Sequence, residues 1–227
     1  MNLQIHVSDR IGSVSAILLR PADAWAGYVL AHGAGAGMQH PFLETIADRL
    51  AARGIATLRY QFPYMEAGGG RPDPPAVAEA TVQAAVAKAR ELVPDLPLVA
   101  GGKSFGGRMT SNRAAHGALP GVVGIVFLGF PLHAPKKPDV NRAEHLKQVG
   151  LPMLFLQGTR DTLADLDLIT SLCSELSHAT LHVVEGGDHS FAVPKRLGRS
   201  GAEVMEELAA AIGEWCRSIL PSTAGRT

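Results

Sequence analysis

Three stretches of this chain carry residue types that could do nucleophilic chemistry together. The first is Gly102-Lys103-Ser104-Phe105-Gly106, a G-x-S-x-G with Ser104 at its centre. It follows a short apolar run and precedes a helix-compatible one, which puts the serine at the apex of a strand–turn–helix. So tight a turn strains the serine backbone and lifts its hydroxyl clear of the sheet. Side chains two places before and after would collide with the adjoining strand and helix, so both places call for glycine. Free N–H groups at the helix start favour negative charge beside the hydroxyl. Ser104 reads as a nucleophile.

A serine hydroxyl is a weak nucleophile until a base takes its proton, and that base needs an orienting carboxylate. His189 is the best-placed imidazole, in the flexible stretch Glu185-Gly-Gly-Asp-His-Ser-Phe191 after a strand-like run. His6, His116, His145, His178 and His182 fall on expected strands or helices with no chemistry-bearing neighbours. Asp161 supplies the carboxylate, four residues past the strand in Leu154-Phe-Leu-Gln-Gly-Thr-Arg-Asp161. Asp161 or Thr162 could serve only as a helix N-cap. Asp165 and Asp188 stand behind Asp161, the one expected inside a helix and the other pointing away from its neighbour His189.

Acyl transfer also needs donors for a developing oxyanion. One is the backbone N–H of Phe105, just past the serine. The other should come from His32-Gly-Ala-Gly-Ala-Gly-Met38, where Ala34 or Gly35 leaves the backbone accessible. Two phosphate-binding motifs overlap these glycines and fail on named residues. A G-x-x-x-x-G-K-[ST] loop needs glycine where Pro97 stands, and G-x-G-x-x-G from Gly33 needs glycine where Met38 stands. The strand after the second motif ends in Arg59-Tyr60, without the acid that would hold a ribose.

The elements that must position these groups follow from periodicity. Residues 3–7 and 13–19 predict an edge hairpin. Near-continuous apolar strands are expected at 27–32, 55–60, 97–101, 122–128, 152–157 and 180–185, as when helices cover both faces of a sheet. Helical patterns fall at 42–53, 76–93, 104–116, 163–177 and 202–219, with a shorter one near 142–148. The glycine- and proline-rich stretch 61–75 is expected to be a mobile surface loop. Alternating strands and helices predict a mostly parallel sheet in an α/β fold, with every strand-to-helix loop at one edge. Residues 1–220 are expected to form one domain and 221–227 a frayed tail.

Composition excludes other classes. Lys plus Arg and Asp plus Glu each number 21, so no basic face is implied for nucleic acid. No apolar run has the length of a signal peptide or a membrane span. Cys173 and Cys216 lack metal-ligand spacing, so reduced thiols and a cytoplasmic protein are expected.

Taken together, the motifs resemble the α/β-hydrolases over residues 3–220. His32-Gly-Ala-Gly-Ala-Gly-Met38, Phe62-Pro-Tyr-Met-Glu66, Gly101-Gly-Lys-Ser-Phe-Gly-Gly-Arg-Met109, Gly129-Phe-Pro-Leu-His133, Gln157-Gly-Thr-Arg-Asp161 and Gly186-Gly-Asp-His-Ser-Phe191 resemble one branch, labelled dienelactone-hydrolase-like. That branch includes a testis-expressed protein and a subunit of a histone-acetyltransferase complex. The resemblance implies Ser104, Asp161 and His189 as a catalytic triad. True dienelactone hydrolases use cysteine where this chain has serine, so their chemistry is not carried over. The expected activity is cleavage of a small-molecule ester or thioester through an acyl-enzyme, with no metal or organic cofactor. The alternative is a binding or scaffold protein of the same fold.

The connection 129–151 is too short for a full cap domain, so an open site is expected. Its walls are expected from Tyr60, Phe62, Tyr64, Phe130, Leu132 and Phe191, although Phe62 and Phe130 could be core instead. Lys103 could favour anionic substrates at the entrance, but a solvated side chain is the preferred expectation.

Overall fold

The computed structural model describes residues 1–220; the tail expected at 221–227 lies outside the described residues. Eight strands form one sheet: β1 (Asn2–Ser8), β2 (Gly12–Leu19), β3 (Ala26–Ala31), β4 (Ile55–Tyr60), β5 (Leu98–Lys103), β6 (Val122–Leu128), β7 (Met153–Gly158) and β8 (Ala179–Val184). Their order is β1-β2-β4-β3-β5-β6-β7-β8. The hairpin β1–β2 sits at one edge and β2 meets β4 antiparallel, while β4 through β8 run parallel. The order of winding reverses between β3 and β5, and such a switch point opens a crevice at the carboxyl ends of the strands.

Every residue of β3, β4 and β7 is buried, because helices cover both faces. Pleating sends alternate residues to opposite sides. Ile125 and Phe127 of β6 pack with Phe155, Ile169 and Leu172, whereas Val126 and Leu128 pack with Val204, Leu208 and Ile212. The helices α3 (Pro75–Leu92), α4 (Phe105–Ala115) and α5 (Leu166–Glu175) thus lie on one face, and α1 (Pro41–Ala51) and α6 (Gly201–Ile219) on the other. Helix α1 buries Leu43, Ile46, Ala47 and Leu50, the spacing of a single apolar stripe. Helix α6 begins at a capping box in which Ser200 and Glu203 satisfy each other's backbone N–H.

The stretch 61–75 differs from the expected mobile loop. It opens with a helical turn, α2 (Pro63–Glu66), in which Tyr64 is buried, as is Phe62 just before it. Glu66 accepts hydrogen bonds from the backbone N–H and hydroxyl of Ser15, at 3.0 and 2.7 Å, which ties the turn to β2. Proline and glycine content marked the chain reversal here but not the anchoring side chains between them. The connection between β6 and β7 holds a 3-10 helix, Asn141–Gln148, and no cap domain. Among the described residues, no helix is long and apolar enough to cross a membrane.

Candidate active site

Ser104 stands between β5 and α4 with φ 49° and ψ −112°, a strained conformation for a residue with a side chain. The reason lies in the backbone around it. A Cβ on Gly102 would lie 2.2 Å from the Ala31 carbonyl oxygen, and one on Gly106 2.6 Å from both the Ala31 Cβ and the His32 carbonyl oxygen. Both clashes are with β3 and its following loop, so the flanking glycines let the turn press against the neighbouring strand. Ser104 itself is half-exposed.

His189 reaches this serine from 85 residues away: its Nε2 lies 2.9 Å from the Ser104 Oγ. Its Nδ1 lies 2.7 Å from Oδ2 of Asp161, whose side chain is fully buried. The loop carrying His189 is shaped by Asp188, whose Oδ1 accepts from the N–H groups of Ser190 and Ala192 at 2.8 and 2.9 Å. Phe191 completes that tight loop with φ 62°. Asp188 is therefore occupied with its own backbone. Asp165 caps α5, accepting from the N–H groups of Asp167 and Leu168. Of the three acids considered from sequence, only Asp161 meets the imidazole.

Asp161 is held from three directions. Its Oδ1 accepts from the Leu163 N–H at 2.8 Å, so the capping role and the contact with His189 coexist on one side chain. Its Oδ2 also accepts from Gln157 Nε2 at 2.5 Å. Burial pushes its pKa up, but the hydrogen bond and charge of His189, the Leu163 N–H and the Gln157 amide outweigh that and hold it below the usual value. Gln157 is fully buried, and its Oε1 accepts from the Phe130 N–H at 3.1 Å. Sequence reasoning missed Gln157. A lone amide ending the apolar run Leu154-Phe-Leu was the available signal.

The loop after β3 turns at Ala34 and Gly35, with the Ala36 N–H 3.4 Å from the Gly33 carbonyl. The Tyr64 hydroxyl donates to the Ala34 carbonyl at 2.8 Å. His32 is completely buried: Nδ1 lies 2.8 Å from the Gly33 carbonyl, and Nε2 accepts from the Phe62 N–H at 3.0 Å. Burial, partly opposed by the Gly33 carbonyl, drops the His32 pKa to about 4, so the ring is neutral. The α4 start leaves the Phe105 N–H without an intrahelical partner.

The expected aromatic walls are not an open wall. Tyr60, Phe62, Tyr64, Phe130, Leu132 and Phe191 are each 7% exposed or less. Phe62 and Tyr60 belong to the core under α3, and Phe130 and Leu132 to the core under α5. Phe191 stacks on Phe42 at 5.9 Å, and Tyr64 supports the Ala34 turn. Lys103 departs from expectation as well: it turns inward, and its Nζ donates to the His189 carbonyl at 2.5 Å.

A second serine–histidine pair lies away from the elbow, where His145 had been expected to lack partners: the Ser111 Oγ is 2.7 Å from His145 Nε2. The Ser111 hydroxyl also has the Arg108 carbonyl within reach at 3.0 Å. Burial, with the charges of Arg108 and His116, drops the His145 pKa to about 4, so its ring is neutral. Ser111 is completely buried, so this pair reads as a tie between α4 and the 3-10 helix.

The chain matches the model of the alpha/beta hydrolase domain family over residues 25–217. A dienelactone hydrolase from Anabaena variabilis is 19% identical with a TM-score of 0.76, covering 97% of this chain and 98% of that one. A serine hydrolase without a lid from Xanthomonas campestris is also 19% identical, at a TM-score of 0.74 over 98% of this chain and 96% of that one. Est1E from Butyrivibrio proteoclasticus is 16% identical at a TM-score of 0.71, covering 96% and 98%. With its sheet order, its strained serine turn and the family match over most of its length, the chain belongs to the alpha/beta hydrolase family.

Proposed function

We propose that this hydrolase cleaves carboxylic esters or thioesters through an acyl-enzyme on Ser104. The observation that carries the reading is the His189 imidazole, within hydrogen-bond reach of the Ser104 hydroxyl and of the buried Asp161 carboxylate. In this mechanism Nε2 of His189 takes the Ser104 proton as Oγ attacks the acyl carbon. Asp161 keeps the remaining ring proton on Nδ1 and stabilises the imidazolium. The tetrahedral oxyanion is received by the Phe105 N–H with that of Ala34 or Gly35, each such donor supplying about 10²–10³ in rate. Collapse expels the alcohol or thiol, which takes the proton from His189. Water, activated by the same imidazole, then releases the acid and restores the serine.

The half-exposed serine and the short β6–β7 connection support an open site for small or surface-presented acyl groups. Motif resemblance supports a place in the dienelactone-hydrolase-like branch, with serine chemistry in place of cysteine. A fluorophosphonate probe tests the reading. Wild-type protein should be labelled at neutral pH and Ser104→Ala should not. Folded wild type that stays unlabelled would contradict it and favour a binding or scaffold role. Matched series of p-nitrophenyl esters and acyl thioesters then define chain length and leaving group.

A further inference from the structure

Lys103 precedes Ser104 at the end of β5, yet its ammonium is folded away from solvent toward the loop that carries His189. Its Nζ donates to the His189 carbonyl at 2.5 Å and lies 5.5 Å from the centroid of the Phe191 ring. Gly129, just past β6, leaves room for it: a Cβ there would stand 3.1 Å from Nζ and 3.5 Å from His189 Cε1. The charged and titratable groups facing the ammonium are Asp161 after β7, and Asp188 with the His189 ring after β8. The two carboxylates attract it from beyond ion-pair distance.

A desolvated ammonium that spends its hydrogen bond on a neutral carbonyl is an expensive way to fill space. The face of Phe191 offsets part of that cost, and a methionine would pack the same channel without it. What the charge does accomplish is mechanical. His189 is held at two points, at its ring by Asp161 and at its own carbonyl by Lys103.

We propose that Lys103 is a positioning residue for His189, its ammonium gripping the His189 carbonyl and so fixing the imidazole between Asp161 and Ser104. This rests on the reading of His189 as the base. Burial lowers the Lys103 pKa to about 8 against the opposing pull of Asp161 and Asp188. Loss of the proton turns a charge-assisted hydrogen bond into a weaker neutral one. The seat therefore loosens as pH rises through that value, and turnover acquires an alkaline limb.

The test is proton NMR of the full chain with ¹⁵N-labelled histidine, following the downfield Nδ1–H resonance of the His189–Asp161 contact, assigned by its loss in His189→Gln. Wild type should show it at pH 7 and lose it above about pH 8, as the lowered lysine pKa requires. Lys103→Met should lack it at both, with kcat for an ester substrate reduced about 10–100-fold, the size expected for a misplaced base, and KM little changed. A Lys103→Met protein that keeps the resonance, the wild-type kcat and the alkaline limb would overturn the proposal. Should that variant fail to fold, a wild-type resonance unchanged from neutral to strongly alkaline pH would overturn it equally. If the resonance behaves as expected while wild type neither takes up fluorophosphonate nor turns over any ester, the seat stands and the hydrolase reading fails.

Discussion

Gly158 and Gly187 touch: a Cβ built on Gly158 would stand 2.2 Å from the Gly187 carbonyl oxygen. Their contact closes the loop after β7 onto the loop after β8. The Arg160 N–H, donating to the Gly187 carbonyl at 2.8 Å, and the Gly186 N–H, donating to Thr159 Oγ1 at 2.8 Å, complete the seam. Asp161 and His189 are neighbours because this seam is tight.

Gly158→Ala should therefore force the two loops apart and separate Asp161 from His189. A loss of kcat of about 10²-fold or more is expected, as for other displacements of a catalytic group by about 1 Å. Steady-state kinetics with circular dichroism as a fold control checks this. Wild-type turnover in the variant would mean that the seam does not position the pair.

Asp161→Asn keeps an acceptor for the Leu163 N–H but removes the charge that orients the imidazole. Turnover should fall about 10⁴-fold, because the ring then favours the wrong tautomer. A loss below about tenfold in the same assay would remove Asp161 from the mechanism.

The Tyr64 hydroxyl steadies the Ala34 carbonyl at 2.8 Å, on the turn whose amides are assigned to the oxyanion. Tyr64→Phe should lower kcat about tenfold, with a stability cost near 1 kcal/mol for one net hydrogen bond. Equal kcat in the two proteins would detach that turn from catalysis.

Phe130 is 1% exposed and packs edge-on against Phe127 at 5.2 Å. As a core residue its replacement by alanine should destabilise the protein by about 3–5 kcal/mol in urea unfolding. A variant with unchanged stability and a raised KM would make it the substrate wall expected from sequence.

His32 sets an acid limit on stability. Its pKa falls to about 4 in the folded protein through burial, against 6.5 for a free imidazole, so the unfolded chain takes up the proton first. Its contribution is whole above pH 6.5 and is lost as pH falls toward 4, by about 2 kcal/mol at pH 5. The buried His145 ring, whose pKa burial also drops to about 4, adds a loss of the same sign, so urea midpoints should fall from pH 7 to pH 5 by more than the His32 share, and His32→Asn should remove that share and leave the rest. A midpoint independent of pH over this range would contradict the neutral, buried ring.

Strands and helices were legible in sequence because a sheet covered on both faces demands uninterrupted apolar runs, as in residues 122–128 and 153–156. The spacing around Ser104 was legible for a similar reason, since nothing but glycine fits at 102 and 106 against β3. The direction of the aromatic side chains was not. Tyr60 lies in a strand buried on both faces, where alternation carries no signal. Lys103 and His145 were misjudged because their partners lie 86 and 34 residues away, and local composition says nothing about contacts at that range.

The central claim is that an acyl group passes through the Ser104 hydroxyl. Wild-type protein mixed with p-nitrophenyl acetate, quenched in acid within milliseconds and digested, should yield a single acetylated peptide, the one containing Ser104, and none after His189→Ala. Acetylation of Ser111 instead, or a folded wild-type protein with no adduct on any serine, would contradict the account.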